Sequence, residues 1–162
     1  MTPRITLASV ETDLGPMLLA ASPRGVVAVA RGTDAAALLP SIARRLPGAE
    51  IVPASSNHAA WLVAWAAGER RDLPPLDLRG VSPFDADVYR AVQGVAWGET
   101  ATYGEIATVV GRPGAARAVG GAMSRCPFFP AVPCHRVVRA TDGWSGWGGS
   151  NALKRRLLAR ER

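Results

Sequence analysis

Two short helices joined by a tight turn, in the second half of the 162-residue chain, constrain the fold most. Residues 102–105 read Thr-Tyr-Gly-Glu, the spacing of a capping box, in which the first and last side chains bond each other's backbone at a helix start. We predict a helix from there through Val110, ended by Gly111, and a second helix from about Ala115 to about Ser124. This outline is typical of a helix-turn-helix.

The second of these helices is built from small residues, and Arg117 and Met123 are the exceptions. A slim helix surface lets a phosphate backbone approach closely, and one long cation near its start can reach phosphates or enter a groove. Small residues also allow two helices of one protein to pack closely. The sequence leaves both interpretations open.

The basic residues are concentrated in the same half of the chain. The 19 Lys and Arg residues outnumber the 13 Asp and Glu residues, and residues 80–162 carry +5 of the total charge of +6. This asymmetry suits a polyanionic partner, because Lys and Arg displace counterions when they bind phosphates. Since 18 of the 19 cations are Arg, a biased genome composition is the alternative explanation.

One of the two cysteines, Cys134, is followed directly by one of the two histidines, His135, in the sequence Pro-Cys-His-Arg-Val-Val. The thiolate is the form of cysteine that attacks carbon, and a neighbouring base or cation raises the thiolate fraction. Adjacent side chains on a strand point to opposite faces, so proton transfer between the two residues needs a turn, a helical start or a bridging water. The alternative is a buried cysteine that serves as a small hydrophobic residue.

Glu161 lies at the carboxyl end of the last predicted helix, where the helix dipole disfavours an anion. Its compensating cation is either a neighbour, Arg160 or Arg162, or the imidazole of His135. In the second arrangement Glu161 orients and charges His135, and with Cys134 they form a relay of orienter, base and nucleophile.

The remaining pattern predicts a small sheet with helices in the first half and further helices in the second. Strands are predicted at 4–12, 17–22, 26–31 and 49–53, with a hairpin turn at 23–25. Residues 34–46 are helix-like but carry Pro40, which predicts a kink or a break. The other helices begin near Ser56 or Asn57, with Trp61 and Trp65 on a core face, at Ser82 before Pro83, and at Ser150, with Lys154, Arg155, Arg156 and Arg160 on a basic side. A linker at 70–75 divides a supporting domain, 1–78, from a second domain, 79–162.

Several classes of protein are disfavoured. Two cysteines do not make a disulfide framework, and with His58 and His135 they lack the paired short spacings of zinc sites. We therefore expect no metal. Residues 2–10 lack the apolar core of a signal peptide, and no run is long enough to span a bilayer, so we expect a cytoplasmic protein with no membrane partner.

Residues 83–161 resemble one family, the O6-alkylguanine-DNA alkyltransferases, also called methylated-DNA-protein-cysteine methyltransferases. The motifs that carry the resemblance are Gly98-Glu99-Thr100, Tyr103-Gly104-Glu105-Ile106-Ala107, Ala115 to Gly120, Pro133 to Val137 and Lys154 to Glu161. The resemblance implies an α+β protein with a small amino-terminal sheet-plus-helix domain, ribonuclease H-like, and a mostly helical carboxy-terminal domain with a winged helix-turn-helix. The first half resembles the family's amino-terminal domain more loosely, which implies support rather than catalysis.

The resemblance also implies a reaction. Cys134 would take an alkyl group from O6 of guanine in double-stranded DNA, with O4 of thymine as a second candidate position. His135, through a bridging water and oriented by Glu161, would remove the thiol proton, and Tyr103 would stabilise or protonate the departing guanine. Because the thioether is inert, each molecule would act once, without a cofactor, and we expect it to act as a monomer.

The target atom lies inside the stacked duplex, so the family's reaction requires extrusion of the nucleotide, with Arg117 standing in for it. The helix-turn-helix would enter the minor groove. The residues implied to bind DNA are Thr102, Ala116, Arg117 and Gly120. Those implied to hold the flipped base are Met123 and Trp147, which would line its pocket, and Cys134, Val137 and Gly148, through backbone groups.

Two residues depart from the family's pattern. Cys126 precedes Pro127 where the family usually has Asn, whose side chain hydrogen-bonds backbone around the acceptor cysteine and the recognition helix. A thiol is too weak a donor and acceptor to replace those bonds. Their loss costs about 1–3 kcal/mol each, which would loosen the site without preventing folding. Trp147 stands where Tyr is common, and its larger ring changes the pocket wall.

Three functions therefore compete. The first is a single-turnover DNA alkyltransferase. The second is a lesion-sensing DNA-binding protein without efficient transfer, like the alkyltransferase-like relatives, which lack the reactive cysteine. The third is a regulator that uses the helix-turn-helix alone. The intact Cys134 favours the first, the missing Asn mildly favours the second, and the third leaves the Cys-His pair unexplained.

Overall fold

The protein is described by a computed structural model that covers residues 2–141 and 151–162. It divides into two compact units: unit 1 is Met1–Val81 with Pro127–Ala131, and unit 2 is Ser82–Cys126 with Val132–Arg162. Pro127–Ala131 belongs to unit 1 although the residues before and after it belong to unit 2, and no linker in the sequence predicts this. It is fixed in part by a hydrogen bond of 2.9 Å from the Val29 amide to the Pro127 carbonyl. The predicted pocket residues Trp147 and Gly148 and the predicted cap Ser150 lie outside the described residues.

Unit 1 is built on a four-stranded sheet with the strand order β3-β2-β1-β4. Its strands are β1 (Arg4–Thr12), β2 (Gly15–Ser22), β3 (Gly25–Arg31) and β4 (Glu50–Pro53). β1 pairs antiparallel with β2 and parallel with β4, and β2 pairs antiparallel with β3. The four predicted strands and the hairpin turn are confirmed.

Two helices accompany this sheet: α1 (Leu39–Arg45) and α2 (Asn57–Ala66). The predicted break is confirmed, because a 3-10 helix at Ala35–Ala37 precedes α1 and Pro40 lies in the first turn of α1, where its missing N–H is tolerated. Trp61 and Trp65 are both buried with their ring centroids 6.4 Å apart, as a core face requires.

Unit 2 is mostly helical. Its elements are α3 (Pro83–Gln93), β5 (Ala101–Thr102), α4 (Tyr103–Val109), α5 (Ala116–Ser124), a 3-10 helix at Cys134–Arg136, β6 (Val137–Val138) and α6 (Asn151–Arg160). β5 and β6 pair in parallel, which joins the start of α4 to the segment that carries the Cys-His pair. Together with the sheet of unit 1, these elements make an α+β protein.

The local signals at the starts of α3 and α4 are confirmed. The Ser82 hydroxyl accepts a hydrogen bond from the Asp85 amide, with Pro83 at the first helical position. The Thr102 hydroxyl accepts from the Glu105 amide at 3.0 Å, while the Thr102 amide donates to the Glu105 carboxylate at 3.3 Å, which is the reciprocal capping box. The fold of α4 is therefore fixed locally by its own sequence.

The predicted basic side of α6 is wrong at one residue. Lys154 is fully buried, and its ammonium group donates a hydrogen bond of 2.6 Å to the Val137 carbonyl. Arg155 and Arg156 are exposed, as expected. A long side chain can reach a backbone carbonyl inside the protein with its charged group, and the spacing of residues along a helix does not predict which side chains do so. No helix in the described parts of the chain has both the length and the apolar character needed to span a bilayer.

Candidate active site

Cys134 begins a single turn of 3-10 helix that ends at Arg136, immediately before β6. The Cys134 amide donates to the Val132 carbonyl at 2.8 Å, and the Arg136 amide donates to the Pro133 carbonyl at 2.9 Å. The sequence left three ways for adjacent Cys and His side chains to cooperate, and a helical start is one of them. The local backbone therefore does not force the two side chains onto opposite faces of a strand.

His135 and Glu161 form a buried pair. The His135 Nε2 atom lies 2.6 Å from the Glu161 Oε2 atom, and both side chains are almost completely inaccessible to solvent. Of the two arrangements open from the sequence, the structure has Glu161 folded towards His135. Burial lowers the pKa of His135, and this effect outweighs the hydrogen bond from Glu161, which raises it. The imidazole is therefore neutral at pH 7, the form that can accept a proton.

Arg136 is a second cation on the same carboxylate, and the sequence analysis did not single it out. Its guanidinium donates to Glu161 Oε1 at 2.8 Å and to Oε2 at 3.1 Å, and also to the Val95 carbonyl at 2.9 Å. Burial alone would raise the pKa of Glu161, but the hydrogen bonds from His135 and Arg136 outweigh it and lower the pKa to about 2. Glu161 is therefore ionised throughout the physiological range and holds both side chains in place.

The thiol of Cys134 is covered, with 3% of the residue exposed. A hydrogen bond with the Cys126 side chain and burial both raise the pKa of Cys134 well above its ordinary value, while the nearby Lys154 ammonium lowers it. The resting form is therefore the protonated thiol. Any attack on carbon by this sulfur requires a base that takes the proton during the reaction.

A groove of about 620 Å³ lies on unit 2 beside α4 and α5. Tyr103, at the start of α4, and the exposed Arg117, in the first turn of α5, are among its lining residues. The described residues that line it are Thr102, Tyr103, Gly104, Ala116, Arg117, Gly120, Ser124, Arg139, Ala140 and Thr141. All four residues predicted to bind DNA therefore lie on one surface. Arg139, which the sequence analysis overlooked, adds a second cation, and only the basic excess of this half of the chain pointed to it.

Met123 and Val137, two of the residues predicted to hold the flipped base, are not among the described residues that line this groove. Met123 and Val137 are buried, at 8% and 0% exposure, and neither lines it. Trp147 and Gly148 lie outside the described residues. Val137 instead pairs with Ala101 across the β5-β6 ladder. A pocket for a flipped base therefore stays a prediction, as do the roles of these four residues.

Gly120 distinguishes the two explanations for the small residues of α5. The buried face of α5 is Val119, Ala122 and Met123, and the Ala122 carbonyl accepts a hydrogen bond of 2.7 Å from the Tyr89 hydroxyl of α3. A Cβ atom added at Gly120 would meet no atom within 4 Å. Packing inside the described protein therefore does not require a glycine here, whereas close approach of another molecule to the groove would.

Replacing Gly120 with Ala is expected to separate folding from binding. Alanine favours a helix interior over glycine by about 1 kcal/mol, so the free energy of unfolding should rise by up to that amount. The added methyl group projects from a groove surface, so affinity for duplex DNA should fall. Urea denaturation and fluorescence anisotropy with a labelled duplex measure the two effects. Unchanged affinity would show that this surface of α5 does not approach DNA closely.

No group of three or more His, Cys, Asp or Glu side chains within residues 2–141 and 151–162 is arranged to hold a metal ion. The chemistry that these residues can support is nucleophilic: a buried thiol, an imidazole directly after it in sequence, and a carboxylate that binds the imidazole. The fold and these residues define an α+β protein with a buried thiol, imidazole and carboxylate and with a groove that Arg117 and Arg139 line.

Comparison with known proteins identifies the class more closely. Residues 83–162 match the family described as 6-O-methylguanine DNA methyltransferase, DNA binding domain. A methylated-DNA–protein-cysteine methyltransferase of Mycolicibacterium paratuberculosis is 50% identical over 102 residues, 62% of this chain and 61% of the relative. A DNA base-flipping protein of Thermus thermophilus is 39% identical over 149 residues, 91% of this chain and 93% of the relative.

The crystal structure of Mycobacterium tuberculosis OGT in complex with DNA is similar over both units. It is 35% identical, with a TM-score of 0.77 over 96% of this chain and 92% of that chain. The chain belongs to the O6-alkylguanine-DNA alkyltransferase family. It spans between 45% and 61% of the length of the first curated relatives that it matches.

Proposed function

We propose that this protein is a single-turnover DNA repair protein that transfers an alkyl group from O6 of guanine in duplex DNA to the sulfur of Cys134. The proposal depends most on one observation, the 2.6 Å contact between Glu161 and the histidine that directly follows Cys134. A buried, ionised carboxylate on one nitrogen of His135 fixes the ring and prepares the other nitrogen to accept a proton. O4 of alkylated thymine is a second candidate substrate position.

The proposed step is a direct displacement at the alkyl carbon. The sulfur-carbon bond forms while the bond from carbon to guanine O6 breaks, so the alkyl group leaves as part of a thioether. The thiol proton passes through a water to His135, and Glu161 stabilises the imidazolium that results. Tyr103 supplies a proton to the departing guanine and regains one from solvent, while the His135 imidazolium releases its proton to solvent, so the products are neutral guanine and an alkylated Cys134. The thioether has no further chemistry, so one molecule repairs one lesion.

The electrostatics explain why a base is needed. Because the pKa of Cys134 is raised by Cys126 and by burial, the free protein holds a thiol that does not attack. The lowered pKa of His135 keeps its ring neutral until the proton arrives. The buried Lys154 ammonium favours the thiolate as it forms. Reactivity would therefore appear only when a substrate is present, which suits a residue that can be used once.

The groove supports a role in duplex binding. Arg117 and Arg139 line it and would neutralise phosphates, and the small residues Ala116 and Gly120 would let the DNA backbone approach α5. The alkylated atom is inside the base stack, so the nucleotide must be extruded, and Arg117 would occupy the space that it leaves. Met123, Val137, Trp147 and Gly148 would then hold the flipped base beside Cys134.

Mass spectrometry of the reacted protein tests the proposal. Incubation with duplex DNA that carries O6-methylguanine is expected to add one methyl group to the peptide that contains Cys134, in a ratio of one per molecule. Undamaged duplex of the same sequence is the control. A methyl group on Cys126 instead, or no adduct on either peptide, would contradict the assigned acceptor.

Replacing Arg117 with Ala tests extrusion separately from chemistry. Repair of O6-methylguanine in a duplex should slow strongly, while reaction with the free base O6-benzylguanine should change little, because a free base needs no extrusion. Single-turnover rates on both substrates give the comparison. Arg90→Ala removes an exposed arginine of α3 that does not line the groove, and it should affect neither rate. Equal losses on both substrates for Arg117→Ala would contradict the extrusion role.

A second candidate function is recognition of damaged bases without efficient transfer. Two observations favour it: the similarity to a DNA base-flipping protein over nearly the whole chain, and the raised pKa of a Cys134 thiol that contacts Cys126. This function predicts tight binding to duplex containing O6-methylguanine with no adduct on Cys134. The mass measurement therefore decides between the two functions.

We further infer a ribonuclease H-like arrangement for the β3-β2-β1-β4 sheet of unit 1 with its helices, and a winged helix-turn-helix in unit 2. The parallel β5-β6 pair that flanks α4 and α5 supports the second inference. We also infer that the protein acts as a monomer. Two free thiols suit the cytoplasm, which keeps thiols reduced. Light scattering of the protein bound to a short duplex would test whether it acts as a monomer.

A further inference from the structure

Cys126 is the residue of this site that the proposed reaction does not use. It follows α5 directly, with its amide hydrogen-bonded to the Met123 carbonyl at 3.2 Å. Its side chain reaches the thiol of Cys134 within hydrogen-bonding contact. Both sulfurs also lie close enough to Tyr89 to influence its hydroxyl, which is anchored on the Ala122 carbonyl of α5. The two cysteines and Tyr89 therefore form one cluster behind the end of α5.

The two thiols differ in how solvent reaches them. Cys126 is half-buried, whereas Cys134 is 3% exposed. A dissolved oxidant therefore meets Cys126 first. Cys134 is the neighbour that can react with whatever forms there, because its thiol already contacts the Cys126 side chain. This is the arrangement of an exposed thiol with a resolving thiol beside it.

We propose that Cys126 and Cys134 are a redox pair that closes to a reversible intramolecular disulfide, which withdraws the acceptor sulfur from alkyl transfer and protects it from irreversible oxidation. The regulatory part of this proposal rests on the function proposed above for Cys134. A thiol used once per molecule loses its whole function if it is oxidised to a sulfinic acid, whereas a disulfide returns it on reduction. At this position an amide side chain offers no such chemistry.

The oxidant is a peroxide such as hydrogen peroxide. The Cys126 thiol gives up its proton and its sulfur attacks one peroxide oxygen, the oxygen-oxygen bond breaks, and Cys126 becomes a sulfenic acid while the departing hydroxide and that proton leave as water. The Cys134 sulfur then attacks the Cys126 sulfur, the sulfur-oxygen bond breaks, and a second water carries away the hydroxyl group and the Cys134 proton. The two thiols together lose two electrons and two protons, and the peroxide gains both. A dithiol such as dithiothreitol reverses the change by thiol-disulfide exchange.

The experiment treats the complete reduced protein with hydrogen peroxide at a low molar excess and then quenches it with catalase. The intact mass should fall by two hydrogen atoms, and a protease digest should contain one peptide pair joined through Cys126 and Cys134. Transfer from O6-benzylguanine should be lost in the oxidised protein and restored by dithiothreitol. Peroxide treatment of the Cys126→Ser variant should instead add oxygen to Cys134. Dithiothreitol should then fail to return transfer to the level of the same variant that was never exposed to peroxide.

Cys126→Asn, which installs the family's usual residue, is the matched second variant and should behave like Cys126→Ser. A disulfide between two molecules would overturn the proposal. So would a loss of transfer in the peroxide-treated wild type that dithiothreitol reverses no better than it does in either variant.

The two proposals fail separately. A disulfide in a protein whose reduced form never takes an alkyl group would refute the proposed function, and a reduced protein that transfers normally but forms no disulfide would refute the redox pair.

Discussion

Replacing Cys134 with Ser is expected to abolish alkyl transfer and to leave DNA binding nearly unchanged. A hydroxyl group has a far higher pKa than a thiol and is a weaker nucleophile, and a neutral imidazole with a lowered pKa cannot deprotonate it without further activation. Loss of a nucleophile costs roughly 10³-fold or more in rate. Single-turnover assays with O6-benzylguanine measure the loss. Binding to damaged duplex should persist, because Cys134 does not line the groove that carries Arg117 and Arg139.

The control for this substitution is the other thiol. Cys126→Ser removes a sulfur and the hydrogen bond to Cys134, but it leaves the proposed acceptor intact, so adducts should still form on the Cys134 peptide. Circular dichroism of both variants checks that the helices are retained. Alkyl transfer that persists in Cys134→Ser, or that disappears only in Cys126→Ser, would show that Cys134 is not the acceptor.

The parts of the fold that the sequence predicted well are those with local causes. The capping box from Thr102 to Glu105 fixes the start of α4 through two hydrogen bonds within four residues. Pro40 restricts where α1 can begin. Apolar runs on either side of the turn at 23–25 place β2 and β3, in which six consecutive residues of β2 and the first four of β3 are buried. In each case the information lies within a few residues of the feature.

The parts that the sequence did not predict depend on contacts between distant segments. Lys154 was predicted on an exposed basic side and Arg136 was not singled out, yet both are buried on acceptors about 17 to 41 residues away, namely Glu161, the Val95 carbonyl and the Val137 carbonyl. Arg45 likewise is buried on the Val27 and Asp77 carbonyls. Arginine and lysine are rarely buried unless paired, so composition alone favours exposure. Only the three-dimensional pairing reverses that expectation.

The candidate site was predictable to a similar degree. The sequence named Cys134, His135 and Glu161, and it left two partners open for Glu161. It could not show that Cys126 contacts Cys134, because eight residues of chain separate them and their distance depends on how α5 and the 3-10 helix pack. As a result, the raised pKa of the acceptor thiol was not expected. The sequence named the candidate reactive groups, whereas the contacts and burial of each group in the structure indicate the direction in which its pKa is shifted.

Glu161 is the residue on which the site and the fold of unit 2 both depend. It binds His135 and Arg136 from the end of α6, and its backbone carbonyl lies where a Cβ atom on Gly98 would be 2.9 Å away. Gly98 has a φ of +85°, so a side chain there would be strained for a second reason. One carboxylate thus holds the proposed base, a buried guanidinium and the end of the last helix.

Replacing Glu161 with Gln is therefore expected to reduce the free energy of unfolding by about 3–5 kcal/mol at pH 7, the cost of removing one partner from a buried ion pair. The amide keeps the shape of the side chain but leaves the Arg136 charge uncompensated. Alkyl transfer should fall in parallel, because His135 loses the group that stabilises its protonated form. Urea denaturation measures the first effect. Glu105→Gln, at an exposed carboxylate, is the matched control and should cost only a few tenths of a kcal/mol because Gln also completes a capping box.

The difference in stability between wild type and Glu161→Gln should depend on pH in a definite direction. The pKa of Glu161 is lowered from 4.5 to about 2 by folding, so the unfolded chain takes up the proton first as the pH falls. The contribution of the carboxylate is then complete above about pH 4.5 and is lost progressively as the pH falls towards 2. His135, whose pKa is also lowered by folding, destabilises the wild type below about pH 6.5, where the unfolded chain protonates. A difference that stays constant from pH 7 to pH 3 would contradict the ionised, doubly paired Glu161 on which the proposed relay depends.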